Sequence, residues 1–222
     1  MGGRFKLGGI VVASLLAFAP AVGAEDMSSG SPTLSGSARS ATPRAAAIPD
    51  HLSSDRVMGR ADAPITIIEY ASFTCSHCAT FANEVLPTIK REFIDTGKAK
   101  LIFRDLPTPP VQVSNTAAGI GRCAAPDRFF DVANYLMREQ SEAFASRNIE
   151  QWLVGSIAVS GRTTEEVIEC MRRPQITQTL LEDVASASAA GVNSTPAVFV
   201  NGRRVQDHSL AGLRAALQPL VR

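Results

Sequence analysis

The residues with the most chemistry in them are Cys75 and Cys78, separated by Ser76 and His77 in the stretch Tyr70-Ala71-Ser72-Phe73-Thr74-Cys75-Ser76-His77-Cys78. A pair at this spacing can staple a loop, hold a metal or trade electrons with other thiols. A structural zinc wants four Cys or His ligands, usually as two paired half-sites. Cys123 and Cys170 are far apart and belong to no such pair, and His51 and His208 lie outside any ligand spacing. No metal is expected, and the neighbouring elements must decide between the other two uses.

Ile65-Thr66-Ile67-Ile68-Glu69-Tyr70 follows Pro64 and is rich in β-branched residues with little polar alternation, the pattern of a strand buried on both faces. After the cysteines, Phe81, Val85, Leu86, Ile89, Phe93 and Ile94 recur at helical spacing until Thr96-Gly97. Cys75 therefore falls between a buried strand and the first turn of a helix, where unpaired N–H groups and the positive end of the helix dipole favour a thiolate. Such surroundings lower a thiol pKa to about 3.5–7.5. Cys78, one turn deeper on the same face, is placed to resolve a mixed disulfide formed at Cys75. His77 is expected to donate a hydrogen bond or a positive charge to the thiolate, the alternative being an exposed loop histidine. Pro87 is expected to kink the helix about a turn beyond the cysteines.

Ala99 to Arg104 reads as a second strand, and the single helix before it makes a βαβ unit. From about 113 to 190 the pattern is helical. Breaks near Pro126, Ser146 to Asn148, Ser160-Gly161 and Pro174 give four or five helices, one of them started by Thr163-Thr164-Glu165-Glu166. Ala197 to Val200 and Arg203 to Val205 flank Asn201-Gly202 as a hairpin. Ser209 to Leu220 closes the chain as a helix with Leu210, Leu213 and Leu217 on one face. The order is strand, helix, strand, helical block, hairpin, helix: an α/β domain with a helical insertion.

The 222 residues carry a formal net charge of +1 and 45% hydrophobic residues, with no long basic run, so nucleic acid binding is not expected. Arg4 and Lys6, an apolar run from Ile10 to Phe18 and Ala21-Val22-Gly23-Ala24 form a secretory signal peptide, residues 1–24, with a run too short to span a membrane. Neither a lipidation cysteine at the cleavage point nor a twin arginine accompanies it. Residues 25–50, rich in Ser, Ala, Pro, Gly and Thr, read as a flexible tether, and the folded domain is expected over 51–222. Export puts the four cysteines where disulfides persist; of three possible pairings, the one joining Cys75 to Cys78 and Cys123 to Cys170 is favoured.

With these residues in view, the chain resembles the DsbA-like branch of the thioredoxin superfamily, bacterial periplasmic thiol-disulfide oxidoreductases. The resemblance covers nearly all of 51–222 and rests on Ala61-Asp62-Ala63-Pro64, the run from Glu69 to Cys78, Phe103-Arg104-Asp105-Leu106-Pro107, the helical block, and Gly191-Val192-Asn193-Ser194-Thr195-Pro196 before a hairpin. It implies a thioredoxin fold interrupted by a helical domain. It further implies that Thr195-Pro196 is a cis-proline loop facing the redox pair and binding an extended substrate peptide. In the same way, Glu69 corresponds to a buried acid that exchanges a proton with Cys78. Cys123 and Cys170 resemble the second, structural disulfide of some alphaproteobacterial members; two free buried thiols or a second redox pair are the rival readings. Ser76 departs from the proline often found there, and Thr195 resembles the choice in several isomerases and reductases, where the best-known oxidase has Val.

The resemblance implies a periplasmic protein that oxidises thiols of exported proteins, needs no cofactor, and is reoxidised by a DsbB-like membrane partner. Residues 25–50 have low apolar content where isomerases of the superfamily usually carry an oligomerisation region, which favours a monomer and the oxidase. The competing readings are an isomerase or reductase kept reduced by a membrane reductase, and a non-catalytic peptide-binding chaperone.

Overall fold

The computed structural model describes residues 48, 49 and 51–221. The expected signal peptide and all of the tether but Ile48 and Pro49 lie outside the described residues. No helix among the described residues is long and apolar enough to cross a membrane.

Five strands form one sheet in the order β1 (Arg56–Met58), β3 (Ala99–Asp105), β2 (Ile65–Ala71), β4 (Ala197–Val200), β5 (Arg203–Val205). β2 and β3 are parallel, Ile65 opposite Ala99 through Ala71 opposite Asp105, and every other pairing is antiparallel. Strand β1 carried no sequence signal: three residues without apolar alternation are too short to register, and pairing with β3 is what makes them a strand. The β4–β5 turn has Asn201 and Gly202 at φ of 47° and 76°, the left-handed backbone a two-residue hairpin requires.

After β2 the chain enters α1 (Ser76–Thr80), a π-helical stretch (Phe81–Val85), α2 (Leu86–Ile89) and a second π-helical stretch (Lys90–Ile94). The break expected at Pro87 takes the form of that first wide turn. Pro87 has no N–H to offer, and the Leu86 N–H reaches back five residues to the Phe81 carbonyl, which makes room for the ring.

The insertion holds five helices: α3 (Val111–Arg122), α4 (Phe129–Ser146), α5 (Ile149–Ala158), α6 (Thr164–Met171) and α7 (Pro174–Ala189). Thr163 and Glu166 close a reciprocal capping box at the start of α6, each side chain bonding the other's backbone N–H. Cys123 and Cys170 are joined by a disulfide between the end of α3 and the last turn of α6. Helix α8 (Leu210–Leu217), capped by the Ser209 hydroxyl, buries Leu213 and Leu217 and ends in a 3-10 turn (Gln218–Leu220).

One sheet face presents Ile65, Ile67, Leu101, Val198 and Val200 to Phe81, Ile89, Phe93, Leu213 and Leu217. The other presents Ile68, Tyr70, Ile102 and Phe199 to Ile48, Ala187 and Val192. Ile48 is thus buried, and the Pro49 carbonyl accepts from Arg104 at 2.8 Å. The packed domain therefore reaches back into residues whose composition reads as tether, because one aliphatic side chain and one carbonyl suffice to pin the chain.

Two arginines lock the insertion to the sheet. Arg104 on β3 is fully buried and donates to Asp55, Tyr70 and Ser186. Arg122 on α3 pairs with Asp105 on β3 at 2.7 Å and with Asp183 on α7 at 2.5 Å, while Asp183 also accepts from the Ser54 hydroxyl and the Asp105 N–H. Buried charges survive only when paired and bonded in this way.

Candidate active site

Cys75 is the N-cap of α1, with an extended backbone (φ −90°, ψ 116°). Its sulfur accepts from the Cys78 N–H at 3.3 Å, and its carbonyl receives the N–H groups of Cys78 and Ala79. The geometry follows from the sequence: a buried strand ends at Ala71, and the following turn must deliver the chain into a helix whose first N–H groups lack partners. The Cys75 side chain fills that place.

Both Cys75 and Cys78 are free thiols, Cys75 half-buried and Cys78 fully buried. Their acidities are driven apart. Cys75 is brought down to about 5, chiefly by a hydrogen bond from the Cys78 thiol, with further bonds from the Thr195 side chain and the Cys78 and His77 backbone N–H groups outweighing burial. Cys78 is pushed far up, first by burial, then by its bond to Cys75 and by the nearby Glu69 charge. One sulfur is anionic at neutral pH and the other holds its proton.

His77 is exposed, and among the described residues its imidazole makes no hydrogen bond. The hydrogen bond expected from ring to sulfur is not among the bonds of the described residues, because two positions along a helix turn a side chain by roughly 200° away from the cap. What His77 gives Cys75 is its backbone N–H. Ser76 is exposed as well.

On the far side of the sulfur lies the Thr195–Pro196 bond, which is cis. The Cys75 thiol donates to the Thr195 carbonyl at 3.4 Å. That carbonyl favours the thiol and the Thr195 side chain the thiolate, and the balance lies with the thiolate. A second cis bond, Pro109–Pro110, lies in the loop before α3 and had no distinguishing sequence signal beyond the two prolines.

Glu69 stands on β2 opposite Phe103 and Val198, on the face that carries Ile67 and Ala71 and looks toward the cysteine helix. It is 1% exposed, and its Oε1 has no hydrogen-bond partner among the described residues. Burial, reinforced by the negative charge of Cys75, pushes its carboxyl up to about 8. Its charge, when present, is felt at Cys78, whose acidity it lowers.

A hydroxyl network holds the turn in place: Ser72 Oγ meets Ser114 Oγ at 2.8 Å, Thr108 Oγ1 at 2.9 Å and Thr74 Oγ1 at 3.0 Å. From the insertion, the Gln140 side-chain amide donates to the carbonyls of Phe73 and Cys75 at 2.7 and 3.2 Å. Sequence reasoning missed both. Ser72 lay unremarked inside the quoted motif. Gln140 had a readable signal, a polar residue on the apolar stripe formed by Val132, Ala133, Leu136, Met137 and Ala143. Among the described residues, no cluster of three or more His, Cys, Asp or Glu is arranged to hold a metal.

Residues 52–219 match the Thioredoxin family. A Rickettsia bellii protein provisionally named a protein-disulfide oxidoreductase is 28% identical over 169 residues, covering 75% of this chain and 64% of its own. The chain thus spans a little under two thirds of the length of that relative. Disulfide bond formation protein D of Bacillus subtilis is 25% identical over 162 residues, covering 68% of this chain and 69% of its own. Among solved structures, Wolbachia pipientis alpha-DsbA1 superposes with a TM-score of 0.66 at 26% identity, covering 77% of this chain and 92% of that one. BdbD of Bacillus subtilis shares the fold, with a TM-score of 0.68 at 19% identity over 79% of this chain and 97% of that one. The βαβ unit, the helical insertion, the cysteine pair at the helix start and the cis-proline loop beside it all agree with this match: the chain belongs to the thioredoxin family, in its DsbA-like branch.

Proposed function

We propose that the chain is a thiol-disulfide oxidoreductase that introduces disulfides into exported proteins through Cys75 and Cys78. The observation that carries the reading is the half-buried Cys75 sulfur, held between the Cys78 N–H and the Thr195 carbonyl with its pKa brought down to about 5. A stable thiolate makes the reduced enzyme favourable and Cys75 a good leaving group, so the disulfide form is oxidising.

In the forward direction a substrate thiolate attacks Cys75 of the Cys75–Cys78 disulfide. The sulfur–sulfur bond breaks, and Cys78 leaves and takes up a proton, for which Glu69 is the nearby donor. A second substrate thiolate then attacks the substrate sulfur of the mixed disulfide, and Cys75 departs as thiolate. Two electrons have passed from the substrate dithiol to the enzyme. The loop at Thr195 and Pro196 binds the substrate as an added strand, aligning its cysteine with Cys75. The reading includes export by residues 1–24, residence in the periplasm as a monomer, and reoxidation by a DsbB-like membrane protein.

Thr195 favours a second direction, an isomerase or reductase in which reduced Cys75 attacks substrate disulfides and a membrane reductase restores it. Acid trapping and alkylation of Cys75 and Cys78 in growing cells separate the two. A pair found mostly as disulfide supports the oxidase, and a pair found mostly as dithiol supports the isomerase or reductase and refutes the oxidase.

A further inference from the structure

We propose that Gln140, on the inserted helix α4, is a positioning residue for Cys75: its side-chain amide fixes the Phe73 and Cys75 carbonyls and thereby the direction in which the Cys75 sulfur faces the helix N–H groups. The inference rests on the thiol-exchange reading and assigns the insertion a share in setting the reactivity of the pair.

Gln140 is 4% exposed, on a helix stripe otherwise built of Val132, Ala133, Leu136, Met137 and Ala143. A polar side chain at such a position needs bonded partners, and it finds them on the turn that carries the nucleophile. The two carbonyls it holds flank Thr74. The Phe73 ring is clamped in turn by stacking on Phe103, centroids 5.4 Å apart. The Cys75 carbonyl already receives the Cys78 and Ala79 N–H groups, so the amide is a third donor on the same oxygen. That peptide sets ψ of Cys75, and ψ sets where the N–H groups of His77 and Cys78 lie relative to the sulfur. One turn earlier on α4, the Met137 carbonyl accepts from Asn83 at 3.0 Å, so the cysteine helix is tied to α4 at two levels.

The test compares the native chain with Q140M, Q140E and W152F. Met keeps the length without a donor, and an ionised Glu sets a negative charge against two carbonyls. W152F removes the Trp152 bond to the Leu136 carbonyl, loosening α4 against α5 without touching the turn. The Cys75 thiolate is titrated by its ultraviolet absorbance, and each variant is equilibrated with glutathione. Q140M is expected to lower the Cys75 ionisation constant about three- to tenfold, half to one pH unit. Q140E should lower it further, W152F should leave it alone, and the glutathione equilibrium should shift toward the disulfide in the same order. A native titration in Q140M, whatever its melting temperature, or an equal shift in W152F, overturns the inference. A native chain whose Cys75 titrates as an ordinary thiol refutes the exchange reading itself, which is a different result from an acidic Cys75 that Q140M fails to move.

Discussion

The sulfur of Cys75 lies 3.4 Å from the carbonyl oxygen of Thr195, 120 residues further along the chain. The contact exists because β4 pairs with β2, Tyr70 opposite Ala197, so the strand leading to the cysteines and the strand leaving the cis-proline loop run side by side. The sheet register brings the Cys75 sulfur and the cis-proline loop together. The Cys78 N–H and the Thr195 carbonyl both reach the sulfur, at 3.3 and 3.4 Å.

Cys75 should react with an alkylating reagent at a rate that is half-maximal near pH 5, while Cys78 stays unreactive in the folded chain. Cys78→Ala removes the largest of the interactions that favour the Cys75 thiolate and should move the midpoint upward. Rate against pH, with peptide mapping of the label, reads both. An unshifted midpoint in the variant would mean that the backbone N–H groups alone hold the thiolate.

Glu69 holds its proton up to about pH 8 when folded, against an ordinary value of 4.5. Between those values the folded chain binds more protons than the unfolded one, so this group's contribution to stability declines as pH rises through that window. Glu69→Gln should flatten the dependence and gain about 2–3 kcal/mol at pH 7 in the reduced protein. Denaturant unfolding at several pH values measures it. If Glu69 serves the Cys78 proton, the same variant should slow exchange by about ten- to a hundredfold, and a more stable but slower enzyme is the expected combination.

The Cys123–Cys170 disulfide closes a loop with a sequence separation of 47 between α3 and α6. Replacing both with Ser should cost about 2–4 kcal/mol of stability. It should leave the pH profile of Cys75 alkylation in place, since the Cys75 sulfur makes its hydrogen bonds with the Cys78 N–H and the Thr195 loop and not with α3 or α6. Chemical denaturation beside the alkylation profile separates a structural bridge from a second redox pair.

Asp183→Ala leaves Arg122 with Asp105 as its one carboxylate partner and strips the acceptor from the Ser54 hydroxyl and the Asp105 N–H, and should destabilise by about 3 kcal/mol. Replacing the whole triad, Arg122 with Met and Asp105 and Asp183 with Leu, should recover part of that loss, as apolar side chains of similar volume often do. Denaturant midpoints of the single and triple variants test the contrast.

The parts legible in the sequence were those with a local physical signal. Ile65 to Tyr70 announced a doubly buried strand by its β-branched run, Asn201-Gly202 its turn, and Thr163 with Glu166 its helix start. The site was legible at Cys75 and Cys78 because the chemistry and the strand-to-helix junction fall in one short stretch. The partnerships that cross long separations were not. Gln140 reaches Phe73 across 67 positions and Arg122 reaches Asp183 across 61, and no local pattern encodes such a pair. At His77 the ring hydrogen bond is missing for the opposite reason: adjacency in sequence does not make two helix side chains neighbours in space.

The most direct test of the account is a single-turnover reaction of the oxidised chain with a peptide carrying two thiols, followed by mass spectrometry. The native chain should end as dithiol with the peptide oxidised, Cys78→Ser activated at Cys75 by an external disulfide reagent should hold a mixed disulfide through Cys75 with a one-thiol form of the peptide, and Cys75→Ser should do neither. Transfer that persists in Cys75→Ser, or a native chain that leaves the peptide reduced, would contradict the account.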